Sequence, residues 1–230
     1  MSANKSAKEV EQDHIAAMGA ELGPLYHALH NEVIWLHAKW SEYRKLYAHS
    51  SARIGALNDV AGFFFRVVQD VLWDDVLLHL VRLIDPPKSG GKDNLTVSRL
   101  PEAITEKDFA DKVRDLVCAA QGSASFASEW RNRHLAHRDL ALALGTGAAQ
   151  LPRASRRDVE EALGALRAVM NEVHARYLKG HVGFENFIAP TGADALVSYL
   201  SMAARAEEQR RVRLRGGRPL PEDLERPSDD

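Results

Sequence analysis

The stretch "AGFFFRVVQDVLWDDVLLHLVRLID", residues 61–85, decides the fold. Its apolar side chains fall on nearly every face of a helix, so it reads as one helix over about 56–85 by pattern. A helix apolar almost all round is expected at the centre, as the most buried element. Pro86-Pro87 stops it.

Two amphipathic seams flank this helix. Leu29, Val33, Leu36, Trp40, Tyr43 and Tyr47 step by four and three residues in turn, as do Val159, Leu163, Leu166, Met170, Val173 and Tyr177. No convincing strand alternation competes with them. The expected fold is therefore all-α, a bundle of five to six helices. Gly23-Pro24 is expected to separate the first seam from a polar helix over about residues 5–22. Thr105 with Asp108, Ser155 with Asp158 and Thr191 with Asp194 read as helix starts, and Gly180 as a C-terminal glycine cap. Residues 86–100 and 144–155 read as loops. Residues 1–209 are expected to form a single domain. Residues 210–230, basic and then acidic with no apolar face, are expected to be a disordered tail.

Composition narrows the function. The chain has 230 residues, 45% hydrophobic and 27% charged, with a formal net charge of −2, so any nucleic-acid function must rest on a local patch. Cys118 is the only cysteine, which excludes an intramolecular disulfide and fits a reducing, cytoplasmic setting. The N-terminal residues lack an apolar signal core, and no run reaches the ~18 apolar residues of a membrane span, so no membrane association is expected.

The chemistry concentrates in "EWRNRHLAHRDL", residues 129–140. Arg131, Arg133, His134, His137 and Arg138 crowd eight positions there. Histidine can take and give a proton near neutral pH, and arginine offers a planar fork to phosphate oxygens. Together they suit metal-free RNA cleavage: a base removes the 2′-hydroxyl proton, the oxygen attacks phosphorus, and an acid protonates the leaving 5′-oxygen. On a regular helix Arg131 and His137 stand ~120° apart and ~9 Å along the axis. Either Arg131 reaches round, or the helix distorts, or a second copy completes the site. The bland alternative is a solvated helix end, with cations near the C-terminus and Asp139 paired to a neighbouring arginine.

Other polar groups admit two readings as well. Asp75, His79 and Arg82 form a stripe on the central helix, with Asp85 beyond it; they either support the motif or belong to an ion network. His27, His30 and His37 share one face but span ~15 Å of helix, too far for one metal ion unless the chain folds back. Trp35 and Trp40 read as packing residues. The arginines of 205–218 either hold RNA backbone or are neutralised by the acidic residues that follow.

At Arg131-Asn132-Arg133-His134-Leu135-Ala136-His137 the sequence resembles the HEPN superfamily, and within it the branch named for AbiU-type abortive-infection proteins. "LHLVRLIDP" (78–86) and "NLTVSRL" (94–100) carry the same resemblance. It covers roughly residues 20–180, allowing for sequence-read boundaries. It implies a helical bundle and, as in many members, a metal-independent endoribonuclease acting as a dimer in a prokaryotic phage-defence system. Arg131 would then bind phosphate, Asn132 orient the site and His137 transfer the proton. Arg133, His134 and Arg138 would contact substrate, with Asp75, His79, Arg82 and Asp85 in support. The implied partners are RNA, a second copy of the chain and a cognate defence or antitoxin protein, with no cofactor and no metal. A noncatalytic interaction or nucleotide-binding module is the competing implication. Some members carry a tyrosine two residues after the histidine; Asp139 stands there in this chain.

Overall fold

The computed structural model describes residues 5–137, 139–146, 150–186 and 189–224. The fold is all-α. Eight α-helices occur among the described residues, more than the five to six expected: α1 (Ala7–Tyr47), α2 (Ser51–Ile84), α3 (Leu100–Ala103), α4 (Lys107–Ser123), α5 (Ser125–Trp130), α6 (Leu140–Leu144), α7 (Arg156–Leu178) and α8 (Ala193–Arg215). The surplus comes from the short helices α3 and α6, which fall at segments too short to show a period. Two two-residue strands, β1 (Lys88–Ser89) and β2 (Lys92–Asp93), pair antiparallel inside the expected loop of 86–100.

The chain forms two compact units, 1–41 with 71–187 and 42–70 with 188–230, so α1 and α2 each contribute to both. In the first unit the seams meet the second half of α2. Leu29, Val33, Leu36, Val76, Leu77, Leu80, Val81, Leu163, Leu166 and Met170 are fully buried. α4 packs on α7, with Phe109 edge-on to Tyr177 and Val113 and Val117 turned inward. The Ser155–Asp158 capping box starts α7 as read, each side chain bonding the other's backbone amide. α7 ends on Lys179, not Gly180, in the left-handed region.

In the second unit Leu46, Leu57 and Phe65 are buried and the Tyr47 hydroxyl donates to the Phe65 carbonyl at 2.8 Å. α8 begins after Gly192, with Glu42 accepting from the Ala193 amide. Thr191 therefore does not cap it, and α4 likewise starts after Glu106 rather than at Thr105. The expected disordered tail, 210–230, is corrected over its described residues, 210–224. α8 stays helical to Arg215, and Asp223 is 2% exposed, gripped by Arg213 at 2.8 and 2.6 Å. Residues 225–230 lie outside the described residues.

The break in α1 falls at Gly19, not at Gly23-Pro24. Gly19 has φ 87 and ψ 176, a conformation reserved in practice for glycine. Pro24 lies five residues on, inside the new helical run. Thirteen residues of straight helix would separate His14 and His27 by ~20 Å, yet their Nδ1 atoms are 3.2 Å apart, so the chain reverses at Gly19. Gly23 allows this close approach: a Cβ there would stand 2.5 Å from the Ile15 Cα and 2.9 Å from the His14 carbonyl. Gly23→Ala is expected to prise the 7–18 arm away at a cost of about 1–3 kcal/mol. Hydrogen exchange should show faster exchange for residues 10–18; unchanged protection there would refute the tight contact.

The expectation that the whole 61–85 stretch is buried is also corrected. Most apolar side chains of its second half are, but Phe63, Phe64, Val67 and Val71 are exposed, Phe63 by 86%. All-round apolarity makes a helix without specifying which face another element covers.

Candidate functional site

The site begins where α2 ends. The last turn of α2 leaves carbonyls without helical partners, and the segment after the β1–β2 turn supplies donors. The Thr96 hydroxyl lies 3.0 Å from the Leu83 carbonyl and 2.7 Å from that of Asp85, while Gln121 Nε2 donates to Ile84 O at 3.1 Å. Arg99 donates to the carbonyls of Asn94 and Pro87, both at 2.7 Å. The segments "LHLVRLIDP" and "NLTVSRL" thus meet at one point, and their contact fixes Asp85.

Asp85 in turn fixes Arg131. Its Oδ2 accepts from Arg131 Nη1 at 2.8 Å, and Asn132 Oδ1 accepts from Arg131 Nε at 3.0 Å. A guanidinium has five N–H donors. With Nη1 and Nε engaged, Nη2 has no hydrogen-bond partner among the described residues, and the side chain is 32% exposed. The result is a cation held in one orientation with a donor edge turned outward.

The helix distorts at this point, one of the three routes the spacing leaves open. Arg131–Leu135 form a π-helical turn, closed by the Ala136 amide donating to Arg131 O at 2.9 Å, five residues back. The Asp139 amide reaches Arg133 O at 3.1 Å. One-turn π segments recur at functional sites because the extra residue redirects side chains. His137 follows in a bend and is exposed, with no hydrogen bond among the described residues. The imidazole is free to meet a ligand.

The neighbours divide. Arg133 Nε lies 3.4 Å from Asp139 Oδ2. Asp139 also caps α6 by accepting from the Leu142 amide at 3.0 Å, and that bond, with Arg133 behind it, holds its carboxyl below the usual range. His134 stands edge-on to Trp130 at 5.5 Å and shares a second cleft, of about 310 Å³, with Arg133 and Asp139. Arg138 lies outside the described residues.

The expected supporting stripe splits in the same way. Asp75 pairs with Lys39 at 2.6 Å. Lys39 Nζ lies 3.4 Å from His79 Nδ1, and His79 Nε2 lies 2.8 Å from Glu32 Oε2, off the line a hydrogen bond requires. Burial first, then the Lys39 charge, lowers the His79 pKa against the opposing pull of Glu32. His79, Arg82 and Asp85 line one cleft, and Asp75 is not among its lining residues. Glu32 and Lys39 were not legible as site residues. They sit seven apart on one face of α1, but nothing in sequence aligns that face with His79.

The histidines of α1 also part company. His37 bonds Val33 O and faces Arg167, whereas the reversal at Gly19 brings His14 to His27 and His30. Among the described residues no three His, Cys, Asp or Glu side chains are grouped to hold a metal ion. Trp40 is packing, as read: it is buried, tilted against Trp73, and donates to Glu160 at 2.7 Å. Trp35 is exposed instead. In the 205–218 segment Arg213 holds Asp223, which favours neutralisation by the acidic residues that follow for that side chain, while Arg210 and Arg211 face Glu207 within the segment.

The family model HEPN_AbiU2, described as AbiU2, matches residues 19–196, a span that includes Asp85, Thr96 and the whole Arg131–His137 motif. The chain belongs to this HEPN family. No curated protein and no solved structure matches it. No helix among the described residues is long and apolar enough to cross a membrane.

Proposed function

We propose that the protein is a metal-independent endoribonuclease of a prokaryotic phage-defence system. One observation carries this reading: Arg131 is fixed by Asp85 and Asn132 with a donor edge left open, and an exposed, unengaged His137 follows across a π-turn. Membership of the HEPN family supports it.

In this mechanism one His137 removes the proton from a ribose 2′-hydroxyl. The oxygen attacks the adjacent phosphorus and the bond to the 5′-oxygen breaks. The products end in a 2′,3′-cyclic phosphate and a 5′-hydroxyl. Arg131 stabilises the charge on the non-bridging oxygens, where preorganised donors act most strongly. The departing oxygen takes its proton from the His137 of a second copy, since one motif supplies one free imidazole. A two-fold dimer brings the two motifs together. The apolar surface nearest the motif lies on α6, where Leu140 and Leu144 are 72% and 65% exposed. The test is incubation of purified protein with cellular RNA: discrete cleavage supports the reading and intact RNA rejects it. Acid and base both come from protein side chains in this scheme, so EDTA is expected to leave the cleavage rate unchanged. Loss of activity to EDTA with recovery in magnesium would reject the acid–base scheme.

A second reading, a noncatalytic module that binds another defence component, draws on the exposed α2 residues Val60, Phe63, Phe64 and Val67 of the second unit. Exposed apolar patches of this kind mark contact surfaces. Arg131→Ala would leave partner binding intact under that reading.

A further inference from the structure

The arm before Gly19 stands apart from the rest of α1. The family match begins at residue 19, so residues 7–18 lie outside it. Within the arm only His14 and Met18 are buried, His14 to 4% exposure. Segments with so little buried apolar surface open locally at low cost. What His14 meets across the reversal is mostly imidazole. Its ring lies 5.3 Å from His27 and 5.4 Å from His30, and stands edge-on to Tyr26 at 5.1 Å. From α7, His174 Nδ1 lies 3.1 Å from the Tyr26 hydroxyl, with the charge of His181 acting on it in turn. Phe184 packs on His30 at 5.3 Å. Asp13, next to His14 in sequence, is the carboxylate that opposes these histidines.

The contact fits neutral imidazoles and resists a further proton. The Nδ1 atoms of His14 and His27 are 3.2 Å apart, so one carries a hydrogen and the other a lone pair. Asn31 Nδ2 donates to His27 Nε2 at 3.1 Å, so His27 Nδ1–H donates to His14 Nδ1. A proton added at either lone pair sets donor against donor: N–H against N–H at His14 Nδ1, or against the Asn31 amide at His27 Nε2. His30 Nδ1 is buried without a hydrogen-bond partner, so a charge there would go unmet. Burial, then the charges of His27 and His174, lowers the His14 pKa, and burial pushes His30 down to about 4. Both bind protons better once the arm lifts and water brings them back to about 6.5. Opening therefore takes up protons, and is favoured as pH falls below that value.

We propose that the 7–18 arm is an acid-released clasp: contact among neutral His14, His27 and His30 holds it down, and it lifts when that cluster charges. The rest of the unit stays folded, because α4 and α7 are held by apolar side chains such as Val113, Val117, Leu163 and Leu166. His37, which bonds Val33 O and faces Arg167, has no part in the clasp. Lifting the arm uncovers the α1 face that carries Tyr26, His27 and His30. The clasp works whether or not the chain cleaves RNA.

The test is hydrogen exchange on the full chain from pH 7.5 to 5.0, each rate corrected for the intrinsic pH dependence of amide exchange. Each imidazole that opening frees contributes up to about 30-fold over that range. Opening of residues 10–18 is expected to rise by about 10- to 10³-fold, with a smaller change in residues 107–120 and 159–173. His14→Gln, which keeps an acceptor for His27 but does not titrate here, is expected to remove the His14 share of the response. Gly23→Ala, which lifts the arm with every histidine in place, is expected to exchange fast already at pH 7.5 and to change little below it. The wild-type profile and Gly23→Ala carry the test where His14→Gln loosens the arm by itself. Equal protection of the arm at pH 7.5 and 5.0 overturns the inference. So does a response that survives His14→Gln in full, or a loss of protection spread equally over α4 and α7.

Discussion

Arg131→Ala and His137→Ala are each expected to lower RNA cleavage by about 10²- to 10⁴-fold, the usual effect of removing a general acid or base or a preorganised charge donor. Both proteins should keep their helical circular dichroism. His137 is exposed and without a hydrogen bond among the described residues, so its loss disturbs no packing. Arg131 is one-third exposed and its ion pair reaches a helix end that Thr96 and Gln121 hold independently. His134→Ala should have the smaller effect on rate, because His134 is engaged with Trp130. If these residues were only solvated charges, Arg131→Ala would shift stability by about 1 kcal/mol or less and leave cleavage untouched. A variant equally active yet less stable would remove Arg131 from the site.

The second large effect is on stability in acid. Burial pushes His30 and His37 down to about 4, and burial likewise lowers His14, His79 and His174. Each binds its proton less well in the folded chain than in the unfolded one, where the value is near 6.5. Unfolding therefore takes up protons on the acid side. Stability is full above about pH 6.5, falls as pH drops from there, and levels off below about pH 4. His30 and His37 should each contribute on the order of 3 kcal/mol to that fall, against a total stability of about 5–15 kcal/mol. The shifted carboxylates, such as those of Asp158 and Asp223, weaken only below about pH 4, so the window between belongs to the histidines. Urea melts from pH 7.5 to 4.5 should show a steady loss, shallower in His30→Gln. A flat profile over that range would show that these imidazoles are not buried neutral.

Sequence reading reached what local periodicity and local chemistry encode. The α7 seam and its Ser155–Asp158 box needed only residues within two turns of each other, as did the apolar second half of α2. The motif was found from residue type and resemblance. Its π-turn was not, although the poor fit of Arg131 and His137 to a regular helix was a sign that something had to give. The features that failed depend on distant partners. Pro24 looked like the stop in α1, but the reversal is made by Gly19 and allowed by the bare Cα of Gly23 against Ile15. Phe63 and Phe64 looked like core because apolarity cannot say which face is covered. Glu32 and Lys39 became neighbours of His79 through helix packing alone.

The central claim is that Arg131 and His137 drive attack by a ribose 2′-hydroxyl on its own phosphate. It is tested most directly with a short RNA carrying the preferred cleavage site, compared with the same strand bearing one 2′-deoxynucleotide on the 5′ side of the scissile phosphate. The all-ribose strand should yield a 2′,3′-cyclic phosphate and a 5′-hydroxyl, and the substituted strand should stay intact at that bond. Cleavage of the deoxy-substituted strand at the same bond, or products ending in a 5′-phosphate, would contradict the mechanism.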